Sequence, residues 1–386
     1  MAKVLLKDVV QRIKDKVDKD NTELEYYIGG EHFDYGEICI TKRGVIAGST
    51  IGPAFHMQFK PGDVLLMSRN PHLRKAGVVD FEGICSDVSY VCRTKDENVL
   101  LQRYLPFIFQ TDDFWNFAEQ NKHGSTNFFL NWSDFEKYEF ELPEIEEQKR
   151  LTELLWSAQD TKTAYQELLR QTDELVKSQF IEMFGDPELN PKSWPIKSLS
   201  EVAESFIGLT YKPKDVSPNG TIVLRSSNIQ DSEIYLDDQV RVNTVIKEKL
   251  YVEENDILMC SRNGSASLVG KVAKIPKLSE RMTFGAFMTI IRSRYSDYLF
   301  TYFQLPAFRK QVNTGTATIN QITQKMLDNV RLPIPEFSAV ERFSKLLTQT
   351  DKSKVNLQKG LKRLENTKNM IIQSFSNERR IKNAYV

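Results

Sequence analysis

The chain has 386 residues, 40% of them hydrophobic and 27% charged, with 52 basic and 52 acidic side chains. That length exceeds one ordinary domain and suffices for two, each able to bury a core, while no apolar run approaches the ~18 residues that a membrane span needs. The zero net charge is a sum of opposites: residues 1–190 hold 22 Lys and Arg against 33 Asp and Glu, and residues 191–386 hold 30 against 19.

The chain begins Met1-Ala2-Lys3-Val4 and reaches Lys14, Asp15 and Lys16 without an apolar leader core, so a cytoplasmic protein is expected. Leu6-Lys7-Asp8-Val9-Val10 returns as Leu199-Ser200-Glu201-Val202-Ala203, at an offset of 193. Asp63-Val64-Leu65-Leu66-Met67-Ser68-Arg69-Asn70 returns as Asp256-Ile257-Leu258-Met259-Cys260-Ser261-Arg262-Asn263 at the same offset, each followed at one spacing by a glycine, Gly77 and Gly270. Leu142-Pro143 returns as Leu332-Pro333 at an offset of 190. One octapeptide could arise by chance, but several matches in the same order could not. The chain therefore reads as one unit written twice, about 140 globular residues followed by a long helix.

The first helix is expected from Glu144 to Phe184, with Leu151, Ala158 and Tyr165 in one register, Leu154, Leu168 and Leu175 in another, and Leu155, Leu169, Val176 and Met183 beside them. Glu144, Glu146 and Glu147 suit its positive N-terminal end, and Gly185 with Asp186-Pro187 stops it. The second helix is expected from Ser338, in a capping box with Glu341, to Phe375, its seam formed by Phe343, Leu357, Leu364 and Ile371 with Val340, Leu347 and Leu361 alongside. Residues 144–190 carry 5 basic and 11 acidic side chains, residues 336–386 carry 11 and 5, and these opposite fields favour pairing of the two helices. Forty helical residues span ~60 Å, long enough to hold two globular units a duplex turn or more apart.

Catalytic signatures are missing from the sequence. The stretch from Gly264 to Val272 has one residue too many for a phosphate-binding loop and ends in Val. No methyl-donor loop, Asn/Asp-Pro-Pro-aromatic tetrad, GxSxG or HExxH occurs. Cys39, Cys85, Cys92 and Cys260 form no CxxC pair and the four histidines have no ligand spacing, so no zinc or disulfide framework is expected.

Recognition remains. The loop after the repeated strand offers Ser68, Arg69, Asn70, His72, Arg74 and Lys75 in the first half, and Ser261, Arg262, Asn263 and Ser265 in the second, all types that contact phosphates and base edges. Lys42, Arg43, Tyr211, Lys212, Arg225, Ser226, Ser227 and Asn228 are further candidates. Arg69 and Arg262 are equivalent and identical, which suits holding a loop or a phosphate. Discrimination belongs where the copies differ, at Pro71 to Lys75 against Gly264 to Leu268, and at Ile28 to His32 against Arg225 to Ile229.

Leu142-Pro143-Glu144-Ile145-Glu146-Glu147-Gln148-Lys149-Arg150 resembles the LPxxEEQKR lead-in to a spacer helix in the specificity subunits of Type I restriction-modification enzymes. Phe184-Gly185-Asp186-Pro187 with Asn190-Pro191 and Trp194-Pro195 resembles their junction into a second recognition domain, and Leu224-Arg225-Ser226-Ser227-Asn228-Ile229 a segment within those domains. The likeness runs the whole chain in order; the second helix lead-in, Leu332 to Arg342, lacks the Glu-Gln pair.

This resemblance implies an α+β protein with an internal pseudo-twofold repeat: mixed α/β target-recognition domains at 1–143 and 186–335, separated by antiparallel coiled-coil helices at 144–185 and 336–386, the latter including the C-terminal tail. Each domain would read one half of a split site on double-stranded DNA. It further implies that the helices dock two modification subunits, which bind S-adenosylmethionine and methylate adenine, and that an ATP-using restriction subunit can join. This chain would then be non-catalytic and hold no cofactor or metal. The competing reading is a coiled-coil scaffold whose globular ends bind proteins and not DNA.

Overall fold

The structure, a computed structural model, describes residues 2–312 and 321–383, with side chains up to residue 374. It is an α+β fold that divides into two compact units, residues 1–165 with 358–386, and residues 166–357.

In the first unit, Ala2–Leu5 pairs antiparallel with Glu139–Leu142, fastening the chain start to the strand that leads into the first long helix. Two four-stranded sheets follow. One has the order Val10–Ile13, Ser89–Thr94, Val64–Met67, Ala76–Val78, all antiparallel. The other has the order Gly44–Val45, Tyr26–Ile28, Gly83–Ser86, Phe55–Phe59, with its middle pair parallel. Val64 and Leu66 enter the core that holds Phe107, Phe114, Trp115 and Phe135, whereas Leu65 and Met67 enter the core between the sheets, with Ile28 and Phe59. A strand buried on both faces needs an unbroken apolar run, and this one has it.

The second unit repeats the plan. Ile196–Ser198 pairs with Arg331–Pro333; an antiparallel sheet runs Glu204–Ile207, Met288–Arg292, Ile257–Cys260, Val272–Lys274; and Val216–Leu224 lies between Arg241–Val242 and a parallel Met282–Phe284. Ile257 and Met259 again face one core, Leu258 and Cys260 the other. The Asp that opens each repeated octapeptide is 2% exposed. Each takes a backbone N–H from three residues earlier (Lys60 to Asp63, Glu253 to Asp256, both 2.8 Å) and a two-pronged guanidinium from the neighbouring strand, Arg93 or Arg292. A buried carboxylate is tolerable only when paired and fully hydrogen-bonded.

The register of the sheets corrects one equivalence. Val64 pairs with Val78 and Ile257 with Lys274, so Gly77 corresponds to Ala273 and not to Gly270. The second unit's loop is three residues longer, and Gly270 makes its turn at φ +77°.

The first long helix runs Ile145–Phe184. Gln148 is fully buried: its amide donates to the carbonyls of Val99 and Pro143 at 2.8 Å and its oxygen accepts from Leu101 N–H at 3.0 Å, tying the first turn to the adjoining loop. At the other end Gly185 turns out at φ +83°, Trp194 donates to the Phe184 carbonyl, and the Lys192 ammonium meets the carbonyls of Glu182 and Met183, a cation where the helix dipole favours one. The second long helix runs Phe337–Asn383. Ser338 therefore sits inside its first turn, and the expected capping box is replaced by the Glu336 carbonyl, which accepts from Ala339 and Val340. Residues 384–386 of the expected tail lie outside the described residues.

Each unit contains half of each long helix. In the first, Leu151 and Leu155 share a core with Ile372, Lys162 pairs with Glu365 at 3.2 Å, and Lys368 donates to Gln159 at 3.0 Å. In the second, Phe180 and Phe184 pack their rings on Phe343, and Asp173 pairs with Lys354. Residue numbers rise on one helix as they fall on the other, so the halves are antiparallel in both units. Among the described residues the cross-helix ion pairs run in both senses, Lys162 to Glu365 and Asp173 to Lys354. Some of the first helix's acid is matched within the helix, by Arg150 to Glu147, Arg170 to Glu167 and Lys177 to Glu174, at the i, i+3 spacing that brings helix side chains together. The expected Leu154, Leu168 and Leu175 register is exposed, at 45%, 45% and 53%. At ~100° per residue those three lie about 80–140° from the centre of the buried arc through Leu151, Leu155, Lys162 and Phe180.

Candidate nucleic-acid interface

In the first unit the segment after Val64–Met67 is pinned by its backbone. Ser68 N–H donates to the Val88 carbonyl and its own carbonyl accepts from Leu130, while Asn70 N–H donates to Phe128. Asn70 (φ 51°) and Arg74 (φ 46°) both adopt left-handed backbone around the turn Pro71–Leu73. For Arg, with neither glycine's freedom nor the short side chain of Asn, this conformation is uncommon and locally unfavourable. What holds it is visible: the Arg74 guanidinium pairs with Asp112 at 2.6 Å, and the Asp112 N–H donates to Gln373 on the second long helix at 3.0 Å. Lys75 donates to the Gly30 carbonyl at 2.6 Å, bringing the turn Gly30–His32 beside the loop. Arg69 and His72 are exposed.

The second unit has the same construction with different side chains. Ser261 and Arg262 both donate to the Phe287 carbonyl, Ser261 accepts from Ile322, and the Ser261 hydroxyl meets Thr289 at 2.6 Å. Asn263 reaches Ser226 at 3.0 Å, so the turn Ser226–Asn228 lies beside this loop as Gly30–His32 lies beside the other. Ser265 N–H donates to Asn263 and its hydroxyl meets Ser267. Arg225 pairs with Asp238 at 2.6 Å. Leu209 N–H donates to Phe284, which draws the segment carrying Tyr211 and Lys212 toward the same edge. Among the described residues neither Arg69 nor Lys212 has an ion-pair partner.

The turns line up one residue away from the expected alignment. Ile28 lies opposite Cys85 and Leu224 opposite Phe284 in the parallel pairs, so Gly29 corresponds to Arg225 and His32 to Asn228. The hydrogen bonds agree: Gly29 N–H donates to His32 Nδ1 and Arg225 N–H to Asn228 Oδ1, both at 2.9 Å.

Three candidates are interior. Asn228 is 1% exposed and its amide is consumed by the carbonyls of Tyr235 and Asp238, Ser68 is 5% exposed, and Ser261 is 8% exposed with its hydroxyl taken by Thr289. Arg43 lies over the rings of Tyr26 and Phe81, 4.0 and 4.8 Å from their centroids, and no described contact joins it to the loop; Lys42 is paired with Asp34 at 2.5 Å. Sequence reasoning missed the two carboxylates that hold Arg74 and Arg225, and an exposed Phe287 under Arg262. Burial pushes the Cys39 thiol up to about 11 and Cys85 to about 12, so both stay protonated at neutral pH.

Two units, each presenting a Ser-Arg-Asn loop beside a short turn on an antiparallel four-stranded sheet, make this a duplicated protein. Residues 191–366 match the model of the Type I restriction modification DNA specificity domain. The specificity subunit of the Type I enzyme EcoKI from Escherichia coli K12 is 27% identical over 182 residues, 44% of this chain and 39% of that protein, and the StySPI specificity subunit from Salmonella potsdam aligns to the same extent. The match thus spans about two fifths of those relatives' length. Among solved structures, the S subunit of a Type I system from M. genitalium superposes with a TM-score of 0.57 at 13% identity, covering 97% of this chain and 95% of that one. A chain from a study of type I R-M complex assembly and conformational transition superposes with 0.55 at 19%, covering 96% of both. At these identities the likeness is one of fold. Residues 191–366 are thus similar to the DNA specificity domain of Type I restriction-modification systems, and the chain shares its fold with S subunits over nearly all its length.

Asn228→Ala should destabilise the protein by roughly 2–3 kcal/mol, because it strands buried backbone groups, whereas exposed Ser227→Ala should stay within about 0.5 kcal/mol. Urea unfolding of the two variants checks this; equal, small effects would show that Asn228 is no structural residue.

Proposed function

We propose that this chain is the non-catalytic DNA-specificity subunit of a cytoplasmic Type I restriction-modification complex, each unit reading one half of a bipartite duplex site. Residues 1–143 and 186–335 act as the two recognition domains, and the long helices space them. One observation carries this reading: both units present the same anchored loop on the same two-sheet scaffold, yet the loops differ in sequence and by three residues in length. Such a pair suits two different half-sites. Arg69, His72, Arg74 and Lys75 form the contact surface of the first unit, with Tyr211, Lys212, Arg225, Ser227, Arg262, Asn263 and Ser265 in the second; Ser226 orients Asn263.

The proposed partners rest on the likeness to Type I specificity subunits. Two modification subunits supply S-adenosylmethionine and adenine methylation, and an ATP-dependent restriction subunit is a further member of the complex. The exposed Leu168 and Leu175, two turns apart on the first long helix, offer apolar surface to such a partner.

Replacing residues 1–143 with those of a relative should change one half of the methylated site and leave the other intact, read by mapping methylated adenines in cells that carry the complex. A change in both halves contradicts two independent readers. Asp112 and Asp238 each neutralise a surface guanidinium that could otherwise meet a phosphate. In Asp112→Asn and Asp238→Asn complexes, affinity for non-specific duplex should rise roughly threefold to tenfold, and the dependence of log K on log salt should steepen by about 0.9 per freed arginine. An unchanged slope contradicts this role.

A further inference from the structure

Phe287 is 58% exposed in the turn between the strands Met282–Phe284 and Met288–Arg292. Leaving such a ring largely in water forgoes apolar burial, and the fold does not need the ring there. The fold uses the backbone: the Phe287 carbonyl accepts the N–H groups of Ser261 at 2.9 Å and Arg262 at 3.0 Å. In the first unit the same bond runs from Ser68 to the carbonyl of Val88, at 2.8 Å. The backbone role is thus constant between the units while the side chain differs. The Arg262 guanidinium lies over the ring, 5.3 Å from its centroid, and the next residue, Asn263, bonds to Ser226. An exposed aromatic ring with a cation over it matches duplex DNA, where the cation takes phosphate and the apolar surface takes a base.

We infer that Phe287 is a specificity-determining residue of the second unit, making an apolar contact with the bases of its half-site. This rests on the proposed function. The base surface is either a thymine methyl group in the major groove or the face of a base step that the ring opens.

The test uses the complete complex with its modification subunits, on duplexes carrying the site found by methylation mapping. Phe287→Ala should lower affinity for that site by about tenfold, with a smaller loss for Phe287→Leu. Affinity for non-specific duplex and the salt slope should stay unchanged, because no phosphate contact is removed; Arg262→Ala, by contrast, should flatten the slope. Replacing thymine by uracil in the second half-site reports a methyl contact, and 2-aminopurine fluorescence reports an opened step. One of the two should respond in the wild type and fall silent in Phe287→Ala. The inference is overturned if a wild-type complex that discriminates its site keeps the same affinity and second half-site preference in Phe287→Ala, or if that variant loses specific and non-specific binding alike. A wild-type complex without site discrimination, or a Phe287→Ala change in the first half-site, instead overturns the two-reader reading beneath it.

Discussion

The ammonium group of Lys162 is the charge around which the first unit is organised. Its side chain is 5% exposed and it meets Glu37 from the globular part at 2.5 Å and Glu365 from the second long helix at 3.2 Å. Burial alone would push this amine down, but the two carboxylates hold it above its usual range. Lys368, bonded to the neutral Gln159, is pushed down by burial and by the charge of Lys162. A charge so enclosed tolerates no sliding of one helix along the other, because a shift by one turn would leave it without a partner at a cost of several kcal/mol. Three parts of the chain that are distant in sequence are thereby fixed in one register.

The apolar core carries the same constraint. Ile372 is 2% exposed and packs in one cluster with Leu151, Leu155 and the aromatic residues of the first globular part; Phe343, fully buried, does the same in the second unit with Phe180 and Phe184. Neither unit is complete without a piece of the helix that begins or ends the other. The loop that carries Arg74 is joined to this framework through Asp112 and Gln373, so the candidate contact surface is braced by the helix and not merely carried on a lobe.

The duplication was legible because its clearest marker is a strand buried on both faces. Val64-Leu65-Leu66-Met67 and Ile257-Leu258-Met259-Cys260 must stay apolar at every position, and the Asp before each must stay to meet its Arg. Lead-in and junction motifs were legible for a similar reason, since Gln148, Gly185 and Trp194 each satisfy a helix end. Loops were less so. The three extra residues before Val272 shift the true partner of Gly77, and a spurious glycine match at equal spacing hides the insertion. Helix periodicity found two leucine registers but could not say which one faces inward, because buried Gln159, Lys162 and Lys368 occupy seam positions that pattern reading assigns to solvent. Arg74 and Arg225 were visible as cations, whereas Asp112 and Asp238, distant in sequence from the loops they hold, were not.

Hydrogen exchange read by mass spectrometry on full-length Ile372→Asp tests the shared-helix account most directly. A carboxylate placed in that buried site should strip protection from segments within residues 1–165, more than two hundred positions earlier in the chain, while segments within 166–357 keep theirs. Loss confined to the C-terminal helix, or no loss at all, would contradict the claim that the first unit's core is completed by the second long helix.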